Sequence, residues 1–150
     1  MRLVIQRVTS AQVSTAEKGI IGSIGKGLCV LVGIGIGDGD EEVEWACENI
    51  IATKFWPDES TGSQWKTSLN SSTFELLLVS QFTLYGKIYK KGRLDFHHAM
   101  PPGEARELYQ KLVNSCRTAL GDSGRTQSGE FGAYMEVIRL NIIILNFGSD

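Results

Sequence analysis

One short segment, residues 80–84, brings together groups suited to chemistry: two hydroxyls, an amide and an aromatic ring. It follows an apolar run that begins at Phe74, and strand ends that lead into loops are where sheet proteins usually build sites. Hydroxyl and amide groups bind a polar ligand through neutral hydrogen bonds, while the ring offers a stacking face. Ser80, Gln81, Phe82 and Thr83 are therefore candidates for such a site. The alternative, which composition alone favours, is a strand end whose polar groups only cap neighbouring backbone.

The next nine residues, 85–93, contain four cations and two tyrosines. Lysine and arginine contact nucleic-acid phosphates, and aromatic rings stack on bases. The candidate phosphate contacts are Lys87, Lys90, Lys91 and Arg93. The alternative is a solvated loop, which is what most runs of charge are.

The overall charge excludes a strongly basic nucleic-acid binder. The chain carries 15 Lys and Arg against 17 Asp and Glu, a net charge of -2. Binding to nucleic acid would therefore need a local patch or a pocket of specific shape rather than a global positive field.

Several familiar cofactor and metal patterns are missing. The glycine-rich stretch 33–39 fails the G-x-G-x-x-G pattern because Asp38 stands where the third glycine is required. Cys29, Cys47 and Cys116 form no C-x-x-C pair, so we expect three reduced thiols. His97 and His98 are adjacent and should point in different directions, which disfavours a shared metal. We predict no cofactor and no metal.

The elements that must position these groups follow from periodicity and turn residues. The chain of 150 residues matches one domain. Apolar residues recur at helical spacing from an N-cap at Asp40 to the stop at Pro57, and again from Pro101-Pro102 to Gly121. Strands are predicted at 3–8, 19–24, 28–36, 74–82 and 133–147, with 11–14 as a hairpin partner and loops at 58–72, 85–96 and 122–132.

This order of strands and helices predicts a single α/β domain over residues 1–150, with mixed β-sheet layers and two main amphipathic helices packed on them. The first residues lack the apolar region of a signal peptide, and no apolar stretch approaches the ~18 residues of a membrane span. We therefore expect a cytoplasmic protein with no membrane partner.

Four segments in fixed order carry a resemblance to a known family. They are Met1–Val8, Ser80–Leu84, Asp95–His97 and Gly129–Met135, and the match extends to about Val137. Together they resemble the D-aminoacyl-tRNA deacylases.

The resemblance implies a homodimeric, cytosolic, metal-free proofreading hydrolase. It implies cleavage of the ester that joins a D-amino acid, or glycine, to the 3′-terminal adenosine of tRNA, with the 2′-hydroxyl of the RNA assisting the reaction. In that family the S-Q-x-T-L segment lines the pocket, which gives Ser80, Gln81, Phe82 and Thr83 the catalytic role. The substrate-binding assignments that complete the set are Arg7, which would support a C-terminal motif, and Phe96, Phe131 and Ala133 in the matched segments.

The match breaks at the C-terminal end. The family has an asparagine-x-glycine-proline motif there, whose backbone enters the partner's site and excludes L-amino acids. Asn141 falls in register with its asparagine, but Ile143 and Ile144 stand where glycine and proline belong. Because β-branched residues favour extended structure, we expect the exclusion to be lost or the partner's pocket to be blocked. The tail belongs either to a diverged homologue or to a sequence-level accident such as a frame shift or an alternative exon end.

Two rival functions remain open from the sequence. One is a non-catalytic nucleic-acid-binding homologue of the same fold, which would use the loop from Lys87 to Arg93. The other is a small-molecule hydrolase with Thr83 or Ser80 as its nucleophile.

Overall fold

A computed structural model describes residues 1–121 and 124–148. Its main elements are eight strands and two α-helices, with a short 3-10 helix at Phe82–Tyr85 and another at Lys90–Gly92. In chain order they are β1 (Arg2–Thr15), β2 (Gly19–Ile24), β3 (Gly27–Gly33), α1 (Asp40–Ala52), β4 (Glu75–Ser80), β5 (Lys87–Ile88), β6 (Leu94–Asp95), α2 (Pro102–Ala119), β7 (Thr126–Ser128) and β8 (Glu136–Gly148).

The long strand β1 organises the main sheet. One of its edges pairs antiparallel with β3 near the start of the chain and with β2 further along, and its other edge pairs with β8. Beyond β3 the sheet continues in parallel through β4 to β7. The sheet is therefore mixed, and with its two helices it confirms the predicted fold class.

The larger core lies between the sheet and the two helices. Leu28, Val30 and Leu76 from the strands meet Ile50 of α1 and Leu112 of α2, and all five are fully buried. The predicted helices are confirmed, but the N-cap of α1 is Gly39 rather than Asp40. The Glu42 carboxylate accepts a hydrogen bond from the Gly39 N–H at 2.7 Å. A side chain from the first turn of the helix therefore pairs with the N-cap backbone.

A second, smaller core lies on the opposite face of the sheet. Val13 of β1, Ile24 of β2, Cys29 of β3 and Leu77 of β4 form its centre. β2 also contacts β4 and β7, so it folds over this face. Because β3 and β4 contribute to both cores, their apolar residues are continuous along the chain rather than alternating.

Several predicted boundaries were wrong, three of them by a whole segment. Residues 11–14 continue β1 rather than forming a separate partner strand, and β3 ends at Gly33 rather than at Ile36. Part of the predicted loop 122–132 forms β7, which pairs in parallel with β4. Three-residue strands such as Thr126–Ser128 carry too little pattern to be recognised, since their pairing comes from a strand far away in sequence.

Two glycines of the stretch 33–39, which resembles a dinucleotide-binding loop, have a structural reason. A Cβ on Gly33 would lie 2.8 Å from the Leu84 Cβ, and one on Gly35 would overlap the Tyr85 ring. The turn after β4 packs directly against this backbone, so neither position has room for a side chain. Tyr85 sits half-buried there, and burial raises its pKa to about 12.

Candidate functional site

The principal cleft opens where β4 ends and has a volume of about 740 Å³. Its floor comes from β3 and β4, one wall from residues 131–135, and the other from the segment that leads into α2. It contains seven of the twelve predicted site residues: Ser80, Gln81, Phe82, Thr83, Phe96, Phe131 and Ala133.

The polar edge of the cleft is the 3-10 helix that follows β4. The Gln81 N–H donates to the Val32 carbonyl at 2.7 Å, which fixes the start of the turn on β3. The Gln81 side-chain amide then donates to the Thr83 Oγ1 at 2.6 Å. Within the described residues, the N–H groups of Phe82 and Thr83 have no intramolecular acceptor, as expected for the first turn of a helix. The turn therefore offers two backbone donors beside a fixed hydroxyl.

Aromatic rings border this edge. The Phe82 ring is 59% exposed and meets the Phe96 ring edge-on, with centroids 5.2 Å apart. Phe96 also lies against Gly86, where a Cβ would approach its Cε1 to 2.9 Å. The contact places the loop that follows the turn next to the cleft and leaves the face of Phe82 accessible to a ligand.

The opposite wall is held by α2. The Phe131 ring contacts the ring of Tyr109 at 5.7 Å, and the Arg106 guanidinium lies 5.5 Å from the Phe131 centroid. The Tyr109 hydroxyl donates to the Leu78 carbonyl at 2.8 Å, which ties this wall to β4. Burial raises the pKa of Tyr109 well above its usual value, so the hydroxyl stays a neutral donor.

Five predicted site residues lie outside the cleft. Four are the exposed cations of the loop that contains β5 and β6, namely Lys87, Lys90, Lys91 and Arg93. The fifth is Arg7 in β1, whose Nη1 donates to the Phe55 carbonyl at 2.7 Å. Its backbone pairs with Ile143 of β8, so its predicted support of the C-terminal motif stays a prediction. The side chains of Asn141, Ile143 and Ile144 lie outside what the structure describes.

The rings of the adjacent histidines lie side by side, with centroids 4.0 Å apart, so the prediction that they point in different directions was wrong, although they contact different partners. His97 contacts the Asp95 carboxylate, and His98 Nε2 lies 2.9 Å from Lys87 Nζ. Hydrogen bonds from His97 lower the pKa of Asp95. Partial desolvation and the neighbouring cations, His97 and Lys87, lower the pKa of His98. Neither histidine lines the cleft.

The cleft is electrically neutral. Of the described residues that line it, none is Asp, Glu, His, Cys, Lys or Arg. No general base is therefore placed beside the hydroxyl of Ser80 or Thr83, and the Thr83 Oγ1 accepts its hydrogen bond from an amide, which cannot take up a proton. This disfavours a nucleophilic hydroxyl of the kind that a triad activates.

Sequence reasoning missed the wall that leads into α2. Met100, Pro101, Pro102 and Ala105 line the cleft there. The Met100 N–H donates to the Ile34 carbonyl, and the Ile36 N–H donates to the His98 carbonyl. This pairing joins segments more than 60 residues apart, so no local sequence pattern predicts it. The two prolines carried a signal, but it was interpreted only as the start of a helix.

Within residues 1–121 and 124–148, no group of three or more His, Cys, Asp or Glu side chains is arranged to hold a metal ion. The helices of the described residues include none long and apolar enough to cross a membrane.

Comparison with known proteins decides the family. The family model described as D-Tyr-tRNA(Tyr) deacylase matches residues 4–142. The chain belongs to this family. Since the family consists of hydrolases that act on carboxylic ester bonds, the predicted enzyme class is confirmed. The match ends five residues beyond Val137, inside β8.

Individual relatives agree over most of the chain. A D-aminoacyl-tRNA deacylase of Yarrowia lipolytica is 41% identical over 141 residues, which are 94% of this chain and 91% of that protein. One of Drosophila melanogaster is 42% identical over 137 residues, 91% of this chain and 84% of that protein.

Two solved structures share the fold. A c-Myc DNA unwinding element binding protein superimposes with a TM-score of 0.91 at 36% identity, covering 100% of this chain and 99% of that one. A probable eukaryotic D-amino acid tRNA deacylase superimposes with a TM-score of 0.83, covering 97% and 98%. At 16% identity the second likeness concerns the fold alone.

Proposed function

We propose that this enzyme hydrolyses the ester bond of D-aminoacyl-tRNA, and of glycyl-tRNA, in the cleft beside Gln81 and Thr83. The observation that carries the proposal is the neutral cleft of a family member, edged by free backbone donors. An aminoacyl ester is already activated, so the enzyme has to position it and stabilise the oxyanion that develops, without forming a covalent intermediate.

The residues of the 3-10 helix have distinct parts in this proposal. The N–H groups of Phe82 and Thr83 donate to the carbonyl oxygen as it gains negative charge. Gln81 fixes the Thr83 hydroxyl, whose remaining hydrogen-bonding capacity is turned to the substrate, and Ser80 ends the strand that carries both. The proton for the leaving 3′-oxygen comes from the neighbouring 2′-hydroxyl of the RNA, because none of the described residues that line the cleft is Asp, Glu, His, Cys, Lys or Arg.

The RNA end is held by stacking and by charge. The exposed Phe82 ring, with Phe96 behind it, and Phe131 with Ala133 on the opposite wall accept the terminal nucleoside. Base–aromatic stacking contributes about 1–3 kcal/mol per base. Lys87, Lys90, Lys91 and Arg93 are all exposed and contact phosphates further along the acceptor strand, which makes binding depend on salt.

The enzyme acts as a cytoplasmic homodimer in this proposal. Charged tRNA is met in that compartment, and the family motif that reaches into the site comes from a partner subunit. Arg7 supports the strand that carries the corresponding residues here, since its backbone pairs with Ile143.

The test measures deacylation of matched D- and L-aminoacyl-tRNA in two backgrounds. One is the unmodified chain, and the other carries Ile143→Gly together with Ile144→Pro. In each background Gln81→Ala and Thr83→Ala should lower the rate by about tenfold or more, because the first releases and the second removes the hydroxyl that positions the substrate, while both keep the backbone donors. Thermal unfolding should shift little, since both residues lie at the end of a strand.

The matched control is Gln110→Ala, which removes an exposed glutamine amide from α2, away from the cleft. Full activity of Gln81→Ala and Thr83→Ala beside an equally active control would show that the site is elsewhere.

A second candidate function is binding of DNA without catalysis. It is favoured by the likeness to the DNA unwinding element binding protein and by the exposed cations of the loop. A titration with single- and double-stranded DNA separates the two: tight, salt-sensitive DNA binding with no deacylation in either background would favour this candidate.

A further inference from the structure

We propose that Cys47 and Cys116 form a site of oxidative modification, where hydrogen peroxide converts the two thiols into a disulfide that joins α1 to α2. The sulfur atoms lie 3.8 Å apart, close to van der Waals contact, on facing helices. The proposal is independent of the deacylase activity, since neither cysteine lines the cleft.

The two thiols differ in access and in charge. Cys116 is fully buried, whereas Cys47 is half-buried and lines a shallow groove between the helices with Glu44, Glu48 and Ser115. The Cys116 thiol donates to the Cys47 sulfur. This hydrogen bond lowers the pKa of Cys47, while it raises the pKa of Cys116 together with burial. Cys47 is therefore the more acidic and the more accessible of the two thiols, and the one that a small oxidant meets first.

The reaction has two steps. The Cys47 thiolate attacks one oxygen of hydrogen peroxide, the O–O bond breaks, and hydroxide leaves and takes up a proton. The sulfenic acid left on Cys47 is then attacked by the Cys116 sulfur, so that an S–S bond forms, the S–O bond breaks and water leaves. In total, two thiols lose two electrons to one peroxide, which yields one disulfide and two waters.

The two sulfur atoms start 3.8 Å apart. Disulfide formation brings the sulfurs to about 2.05 Å, and small residues at the contact let two helices approach closely. Ala46 is fully buried next to Cys47, and Ala119 lines the groove near Cys116. The bond would close a loop between positions 69 residues apart. Long loops lose the most chain entropy in the unfolded state, so the oxidised protein should be more stable.

The experiment treats the purified full chain with hydrogen peroxide at neutral pH, then blocks the remaining thiols and maps the peptides. We expect one cross-linked pair, Cys47 with Cys116, and one remaining free thiol, Cys29. The melting temperature should rise by several degrees and return on reduction with dithiothreitol.

The matched controls are Cys47→Ser and Cys29→Ser. Cys29→Ser should still form the cross-link and show the rise in melting temperature relative to its own reduced form, whereas Cys47→Ser should show neither. The proposal is overturned if Cys47 stops at sulfinic acid in the unmodified chain, if Cys29 enters the cross-link, or if all three thiols survive peroxide that oxidises free glutathione.

Discussion

Leu77 and Gln81 lie four residues apart, yet the fold uses them for different purposes. The side chain of Leu77 is fully buried at the centre of the second core. Gln81 lies just beyond the end of the strand, and its side-chain amide donates a hydrogen bond to the Thr83 hydroxyl at the edge of the cleft. Over this distance the chain changes from residues that hold the sheet together to residues that face a ligand.

Truncation of Leu77 should therefore act on stability. We expect Leu77→Ala to lower the free energy of unfolding by about 2–5 kcal/mol, because the change removes buried methyl groups and leaves a cavity. The measurement is urea unfolding, with Leu94→Ala as control, since Leu94 is 59% exposed in the loop. Equal midpoints for the two variants would contradict the role of Leu77 in the second core.

The residue types at the site were predictable, but their surroundings were not. The hydroxyls, the amide and the ring of residues 80–83 were recognised because they follow an apolar strand directly. The cleft around them depends on Met100 and Phe131, which approach from distant parts of the chain. Such proximity follows from the pairing of whole elements and not from spacing along the sequence.

At the scale of the elements, one carboxylate holds the first turn inside the loop from Trp56 to Thr67. The Asp58 Oδ1 accepts hydrogen bonds from the backbone and hydroxyl groups of Ser60 and Thr61, at 2.5 to 3.1 Å. These bonds, that from the Ser60 hydroxyl foremost, lower the pKa of Asp58 to about 2. The folded loop therefore stabilises the ionised form of Asp58.

This depressed pKa predicts how stability depends on pH. A carboxylate whose pKa falls on folding stabilises the protein above its unfolded pKa, near 3.8, and the contribution is lost as pH falls through the folded pKa. Asp58→Asn should therefore be less stable than the unmodified chain at pH 5–7, with the difference shrinking between pH ~4 and ~2. Urea midpoints across this range measure it.

The control is Glu107→Gln, which removes a carboxylate from the exposed face of α2. Its difference from the unmodified chain should not follow the same course. A difference for Asp58→Asn that stays constant from pH 7 to pH 2 would show that the carboxylate does not close the loop.

β8 contains the positions that the family resemblance aligns with the motif for excluding L-amino acids. The tail isoleucines were expected to be extended, and this is confirmed: Ile143 pairs with Arg7 and Ile144 with Gln6 in an antiparallel ladder. The family's rigid Gly-Pro backbone is replaced by an ordinary strand, although the family match continues to residue 142.

Restoring that backbone should change selectivity. We expect the unmodified chain to turn over slowly or to discriminate poorly between D- and L-aminoacyl-tRNA, with blockage of the pocket by the extended tail as the favoured outcome. Ile143→Gly combined with Ile144→Pro should raise the ratio of D to L hydrolysis, because bare backbone excludes L side chains sterically. Strong D-selective activity of the unmodified chain would show that the motif is dispensable here.

On the scale of the whole molecule, the fold class followed from the sequence because both helices have a helical period and the longer strands are apolar runs bounded by turn residues. Most of the apolar run 28–36 is buried within this chain. Val30 and Val32 are buried between the sheet's neighbours, and Ile36, beyond the strand, is 66% exposed. Whether a strand's apolar residues face a partner or the core depends on what packs on it, which the sequence does not reveal.

The exposed apolar side chains of β8 support the prediction of a homodimer. Ile138 is 51% exposed and Leu140 is 64% exposed on one face of it. Among the described residues β8 pairs only with β1, so its second edge is open. A long open edge beside apolar side chains promotes association unless it is covered, and a twofold pair of copies is the commonest cover.

We therefore expect sedimentation velocity at micromolar concentration to give the mass of a dimer. Ile138→Asp with Leu140→Asp should shift it toward the monomer, because two carboxylates would be buried without partners in the interface. Ile88→Asp is the control, since Ile88 is 78% exposed in the loop and should leave the mass unchanged. If the site is shared between subunits, the monomeric variant should also lose deacylation. A clean monomer of the unmodified chain would remove the basis for a shared site and would leave the open edge of β8 to another partner.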